Sequence, residues 1–305
     1  MKRKIGLALL ILIVLLLLPL LFKDRSHPLA EFRGPELAEL EYSEMTFSSS
    51  DGTSLSGMLF LPDIPPPYPT AVIIHGSGCS SRDNSWYLAV VRELREKGIA
   101  VLLPDKRGCE KSQGDWRGLD VEALAEDTHA AVRWAKDQEQ LDPSNIGIVG
   151  VSQGGWIAAV VAADSGDLAY AVDISGTLAT GEEQLYFEEK NNIAQHTYGF
   201  IAQWVSKVTT KNLMEKEHIK PFISFDPAPW WEEVGIPVLI AFGENDTNCP
   251  VERSLERIRE ANGKLNHLRV EVYPDGRHAI LNSEKTYLSA EFLEDLTDFI
   301  IESAQ

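Results

Sequence analysis

Ile146-Gly147-Ile148-Val149-Gly150-Val151-Ser152-Gln153-Gly154-Gly155 is the stretch on which the reading of this chain turns. An apolar run over 145–149 ends at a glycine, a serine follows two residues later, and an apolar, alanine-rich stretch over 153–164 has the composition of a helix. Gly150-Val151-Ser152-Gln153-Gly154 has the form G-x-S-x-G. Three fixed positions of common residues arise by accident in roughly one chain in ten of this length, so the pattern alone is a weak signal. Its setting strengthens it. A strand before and a helix after place Ser152 on a sharp turn with its hydroxyl exposed, and glycine at 150 and 154 lets the strand and helix approach closely.

Outward from that turn the chain alternates. Apolar runs at 70–74, 99–104, 145–149, 170–174, 237–242 and 268–273 are separated by helical stretches near 85–97, 120–138, 153–164, 251–262 and 286–302. Upstream, Met45 to Ser49 and Leu55 to Leu61 read as two strands joined across Asp51-Gly52, a dipeptide suited to a tight hairpin. The expectation is an α/β fold with a mostly parallel eight-stranded sheet and helices on both faces. Gly98 and Gly263 stop helices, and Asp142-Pro143 reads as the turn before the strand that leads to Ser152. Residues 181–232 are too long for a simple crossover and read as a helical cap inserted over the active-site edge. Within it Phe200, Trp204 and Val208 recur at helical spacing beside Ile201 and Val205, giving one cap helix an apolar face.

A serine hydroxyl is a poor nucleophile at neutral pH. It needs an imidazole to take its proton, and the imidazole needs a carboxylate to fix its tautomer. Both partners are expected downstream of the elbow, the carboxylate first, each on a loop after a later strand. Asp246, in Gly243-Glu244-Asn245-Asp246, follows the run at 237–242, and His278, in Gly276-Arg277-His278, follows the run at 268–273. Glu244 and Asp173 are the alternative carboxylates. The charge that develops on a substrate oxygen needs N–H donors. His75-Gly76-Ser77-Gly78 supplies a small-residue turn, so the backbone N–H of Ser77 or Gly78 is one expected oxyanion donor and that of Gln153 the other. His75 reads as an orienting residue of that loop.

With these residues in place the chain resembles the α/β-hydrolase superfamily, and within it the dienelactone-hydrolase and prolyl-oligopeptidase-like branch, over roughly residues 44–303. Asp105-Lys106-Arg107-Gly108 through Ser112 is similar to that branch's D-x-R-G-x-G-x-S loop, and Gly243-x-x-Asp246-x-x-x-Pro250 is similar to its acid loop. Glu110 stands where the second glycine of the first pattern falls, and the proline after Asp246 comes one position late. The resemblance implies hydrolysis through an acyl-enzyme on Ser152 without a cofactor, and a loop-shaping role for Asp105 and Ser112.

Composition bounds the partners. The 305 residues hold 46 acidic against 28 basic side chains, a formal charge of −18, which argues against nucleic acid and against general attraction to anionic surfaces. The cysteines and histidines show no metal-ligand spacing. Lys2, Arg3 and Lys4 precede an apolar run from Ile5 to Phe22, closed by Lys23, Asp24 and Arg25. Its length and charged ending read as an uncleaved membrane anchor ahead of a cleaved signal, with residues 24–42 as a tether and the domain over 43–305 outside the cytoplasm. Cys79 and Cys109 follow neighbouring strands and are a candidate pair that would leave Cys249 over; three free thiols is the other option. The expected activity is hydrolysis of a small or medium acyl ester or thioester. A peptidase on the same fold and an inactive binding protein are the alternatives. The acidic pairs Glu182-Glu183, Glu188-Glu189 and Glu232-Glu233 read as solvated helix faces, and the cap aromatics as packing of the cap onto the body or lining of an acyl pocket.

Overall fold

The computed structural model describes residues 32–282, 284 and 286–304. The expected anchor over 1–23 lies outside the described residues. Among the described residues no helix is long and apolar enough to cross a membrane.

Eight strands form one sheet: β1 (Ser43–Ser48), β2 (Ser54–Phe60), β3 (Tyr68–Ile74), β4 (Ala100–Pro104), β5 (Leu141–Val151), β6 (Ala171–Ile174), β7 (Val238–Gly243) and β8 (Leu268–Tyr273). Their order across the sheet is β1-β2-β4-β3-β5-β6-β7-β8. β2 runs antiparallel to β1 and β4, and every pairing from β4 through β8 is parallel. The central strands are buried on both faces, which is why they read as continuous apolar runs, and their side chains alternate between two cores. Ile146, Ile148, Ile240 and Phe242 enter one core with the helices α2 (Val121–Lys136) and α3 (Gln153–Asp164). Val149, Val151, Leu239 and Ala241 enter the other with α1 (Ser85–Glu96) and α8 (Ala290–Ser303). The expected doubly covered, mostly parallel sheet of the α/β-hydrolase fold is therefore the observed one.

Three local outcomes differ from the sequence reading. β5 begins at Leu141, not after Asp142-Pro143: Leu141 pairs with Tyr68, and the register shifts before Ile146 pairs with Thr70. The intervening turn is nonetheless built by Asp142, whose carboxylate accepts from the Ser144 N–H at 3.0 Å. Residues 32–42, expected as a tether, rest on the domain, with Leu40 buried and the Arg33 N–H donating to the Thr286 carbonyl at 2.7 Å. The last helix starts at Ala290, capped by Ser289, because the residues before it fold back through a bridge between Leu281 and Leu288.

Between β6 and β7 come α4 (Gly181–His196), α5 (Gly199–Leu213), a 3-10 turn at Lys220–Phe222 and α6 (Ala228–Glu232). Thr180 and Glu183 close a capping box at the start of α4, and the Glu183 carboxylate also binds Arg253 of α7 (Val251–Glu260) at 2.9 Å. The cap aromatics divide. Phe222, Phe225 and Trp231 are buried against the body, whereas Phe200 and Trp204 are 72% and 70% exposed. The face that α5 buries is its small-residue row, Ala202, Ser206 and Thr210, which lets α4 and α5 pack closely and turns the larger side chains of α5 outward.

Candidate active site

Ser152 occupies the turn between β5 and α3 with φ +55° and ψ −118°, a conformation that L residues rarely adopt and that neighbouring structure must hold. Its N–H donates to the Ile174 carbonyl at 2.8 Å, and its own carbonyl accepts from Gly155 N–H at 2.8 Å. The two motif glycines are required by close approach. A Cβ on Gly150 would overlap the Gly154 carbonyl, and one on Gly154 would overlap the Ile74 carbonyl.

His278 lies past β8 in a turn in which Ala279 and Ile280 both take positive φ, 56° and 54°. Bonds to two residues distant along the chain help to hold that turn. The Ala279 N–H donates to the Ser175 hydroxyl at 3.0 Å, and the Trp86 indole donates to the Ala279 carbonyl at 3.0 Å. No pattern in the sequence marks Ser175 or Trp86 for this role. The loops after β7 and β8 are also joined, Asn245 N–H to the Gly276 carbonyl at 2.8 Å.

Asp246, Glu244 and Asp173 are the three carboxylates open to pair with the histidine, and the structure separates them. Asp246 has a fully buried side chain whose Oδ2 lies 2.9 Å from His278 Nδ1. Its Oδ1 accepts from the N–H groups of Asn248 (2.7 Å) and Cys249 (2.8 Å). Glu244 is exposed. Asp173 is buried beneath the site, where its Oδ1 accepts from the Gly176 N–H at 2.7 Å and burial pushes its carboxyl up to about 7.

Ser152, His278 and Ser77 share one cleft, walled by Trp86, Tyr87, Asn248 and the α4 residues Gln184 and Glu188. A cavity of about 300 Å³ adjoins it, lined by Ser77, Ser152 and Gln153, by the apolar Trp156, Leu185, Leu213, Ile219, Phe222 and Ile223, and by the polar Gln184, Glu188 and Glu189. Of the cap aromatics read as an acyl pocket, Phe222 is the one that lines this cavity. Ser77 faces both spaces, while Gly78, with φ 74°, continues the turn. His75 is buried, bonds the Pro104 carbonyl through Nε2 at 2.7 Å, and is held down to about 4 by burial, so it is a neutral part of the loop scaffold. Glu188 is no solvated face residue. Burial raises its carboxyl above the usual range; the neighbouring His278 opposes that shift, and Glu189 and Asp246 reinforce it.

The Asp105–Ser112 loop is built as its motif implies. Arg82 binds Asp105 twice through Nε and Nη2 (2.8 and 2.6 Å), and the Ser112 hydroxyl donates to the Asp105 carbonyl at 2.7 Å. Cys79 and Cys109 form a disulfide that ties this loop to the Ser77 loop, and Cys249 is free and buried.

Residues 84–305, which include Ser152, Asp246 and His278, match the model of the prolyl oligopeptidase family. The chain belongs to that family. A curated relative is esterase EstD of Thermotoga maritima, 24% identical over 292 residues that cover 90% of this chain and 69% of EstD. Among solved structures similar to this member of the family, the Pyrococcus furiosus esterase Pf2001 aligns with a TM-score of 0.66 at 19% identity, covering 92% of this chain and all of that one. Est1E of Butyrivibrio proteoclasticus, solved with ferulic acid bound, aligns with a TM-score of 0.63 at 19% identity, covering 85% and 99%. At such identities these structures speak for the fold.

Proposed function

We propose that the chain is a serine esterase that hydrolyses carboxylic esters, or thioesters, of small or medium acyl groups through an acyl-enzyme on Ser152. The supporting observation is geometric: Ser152 stands on its strained turn in the same cleft as His278, whose imidazole is bonded to a buried Asp246. In this mechanism His278 takes the proton of the Ser152 hydroxyl as the oxygen attacks the acyl carbon, then gives it to the leaving alcohol or thiol. Water repeats the sequence to release the acid. Asp246 fixes the tautomer that leaves Nε2 free to accept, and stabilises the imidazolium. The backbone N–H groups of Gln153 and of Ser77 or Gly78 receive the oxyanion. The adjoining cavity, whose lining includes Leu185, Leu213, Phe222 and Ile223, takes the acyl chain. The names of EstD and Pf2001 as esterases favour the ester.

Replacing Ser152 with Ala should lower hydrolysis of short p-nitrophenyl esters by roughly 10⁴-fold or more and abolish labelling by a fluorophosphonate. Mutant activity equal to that of the parent would refute the mechanism. A peptidase reading is favoured by the family itself, and faster cleavage of aminoacyl amides than of matched esters would select it. An unlabelled, inert parent protein would instead select the binding-protein reading.

We also infer that the catalytic domain lies outside the cytoplasm, held to the membrane through the apolar run from Ile5 to Phe22. The Cys79–Cys109 disulfide supports an oxidising compartment. Retention of the protein in carbonate-washed membranes is expected. Release into the soluble fraction would select the cleaved-signal alternative.

A further inference from the structure

Lys106 occupies the variable position of the D-x-R-G pattern, where the mechanism above gives it no task. Its ammonium is partly buried near the catalytic turn, and the two hydrogen-bond acceptors it has among the described residues are neutral. Nζ donates to the Gly76 carbonyl at 2.8 Å and to the Gln153 side-chain oxygen at 2.8 Å. The ring of Trp116 covers it, with the centroid 4.9 Å from Nζ. Among the described residues no carboxylate pairs with this ammonium, and a cation so placed is costly to bury unless its charge is used.

The two acceptors identify the use. The Gly76 carbonyl and the Ser77 N–H belong to one peptide group, so a cation bonded to the oxygen polarises that group and strengthens the N–H as a donor. Gln153 supplies the other expected donor, through an N–H at the start of α3 that has no partner within the helix. We propose that Lys106 is the positioning residue of the oxyanion hole: one ammonium fixes the Ser77 loop and Gln153 relative to each other and places a positive charge behind both donors. It acts through those donors rather than on substrate, and the inference rests on the esterase reading of Ser152.

The site gives this role a pH signature. Burial lowers the Lys106 ammonium to about 7. A neutral amine keeps two donors, so above that pH the geometry persists while the charge behind it is lost. The groups around it do not mimic this. His75 at the end of β3 is held neutral, Asp105 is paired with Arg82, and Arg107 is paired with Asp127 and Asp51. Also around the Trp116 ring are Arg117, 5.5 Å from its centroid, and His218, 6.4 Å between ring centroids.

The test compares the full chain with K106M, which fills the space without donating, and K106Q, which keeps a neutral donor. Short p-nitrophenyl esters are assayed from pH 5 to 9, and a trifluoromethyl ketone serves as a mimic of the tetrahedral oxyanion. K106M should lose roughly ten- to hundredfold in kcat with KM little changed, and should bind the ketone more weakly by a similar factor. The parent's kcat should decline as pH rises past about 7, and both variants should lack that decline. Thermal melts establish that each variant is folded, and K106Q carries the test should K106M unfold. A folded variant with parental kcat, or one that keeps the alkaline decline, overturns the role of Lys106 while leaving Ser152 in place. A parent protein that neither cleaves esters nor takes the fluorophosphonate overturns the esterase reading and this inference together.

Discussion

Asp246 and His278 meet at 2.9 Å with the Asp246 carboxylate already pinned, because its second oxygen accepts from two backbone N–H groups of its own loop. The acid therefore cannot turn, and it determines which imidazole nitrogen carries the proton. Asp246→Asn should keep the fold but set an amide against Nδ1, which favours the wrong tautomer. The expected loss in kcat is roughly 10³- to 10⁴-fold, with fluorophosphonate labelling slowed in parallel. If the D246N variant instead kept activity within about tenfold of the parent, His278 would have to be oriented by something else.

The turn that carries Ser152 depends on Gly154 sitting against the end of β3. Gly154→Ala places a methyl group on the Ile74 backbone carbonyl, which cannot swing aside as a side chain would. The overlap is relieved only by shifting the elbow. We expect a loss of roughly 2 kcal/mol or more in a urea titration, together with loss of esterase activity. An alanine variant of parental stability would show the elbow to be more yielding than its packing implies.

The Cys79–Cys109 bond joins the loop after β3 to the loop after β4, the same two loops that Lys106 spans through Gly76. Closing a separation of 30 residues stabilises the fold by about 3–4 kcal/mol in the chain-entropy account. Cys79→Ser with Cys109→Ser should lower the denaturation midpoint by a matching amount and raise the temperature sensitivity of activity. An unchanged midpoint would remove the disulfide from the structural support of the site.

Most of the architecture was legible because buried parallel strands write themselves as short apolar runs, and because Ser152, Asp246 and His278 each fall just beyond one of them. What escaped depends on partners distant along the chain. The start of β5 at Leu141 is set by its pairing with Tyr68, which no local pattern announces. The period of Phe200, Trp204 and Val208 identified a helix face, yet which face is buried was decided by Ala202, Ser206 and Thr210 fitting α4. Lys106 reads as an ordinary loop lysine, since its contacts with Trp116, Gly76 and Gln153 arise from the meeting of separate loops. Glu188 reads as solvated for a related reason: the fold lays α4 across the cleft.

Asp173 offers a prediction in which stability depends on pH. Its side chain is fully buried on β6, Oδ1 is bonded to the Gly176 N–H, and Oδ2 has no partner among the described residues. Burial raises its carboxyl from 3.8 to about 7. Below pH 4 the carboxyl is protonated in both folded and unfolded chains and costs nothing. As pH rises from about 4 to 7 the unfolded chain gives up its proton while the folded chain retains it, so folding stability falls. Above 7 both are ionised and the penalty is constant. A pKa raised by about three units corresponds to a penalty on the order of 4 kcal/mol, which builds up across that window. Asp173→Asn cannot ionise and retains an oxygen for Gly176, so its stability relative to the parent should improve by roughly 2–3 kcal/mol between pH 5 and pH 8 in paired urea titrations. The same difference at both pH values would mean that Asp173 is already ionised at pH 5, and that the buried oxygen Oδ2 has company in solution.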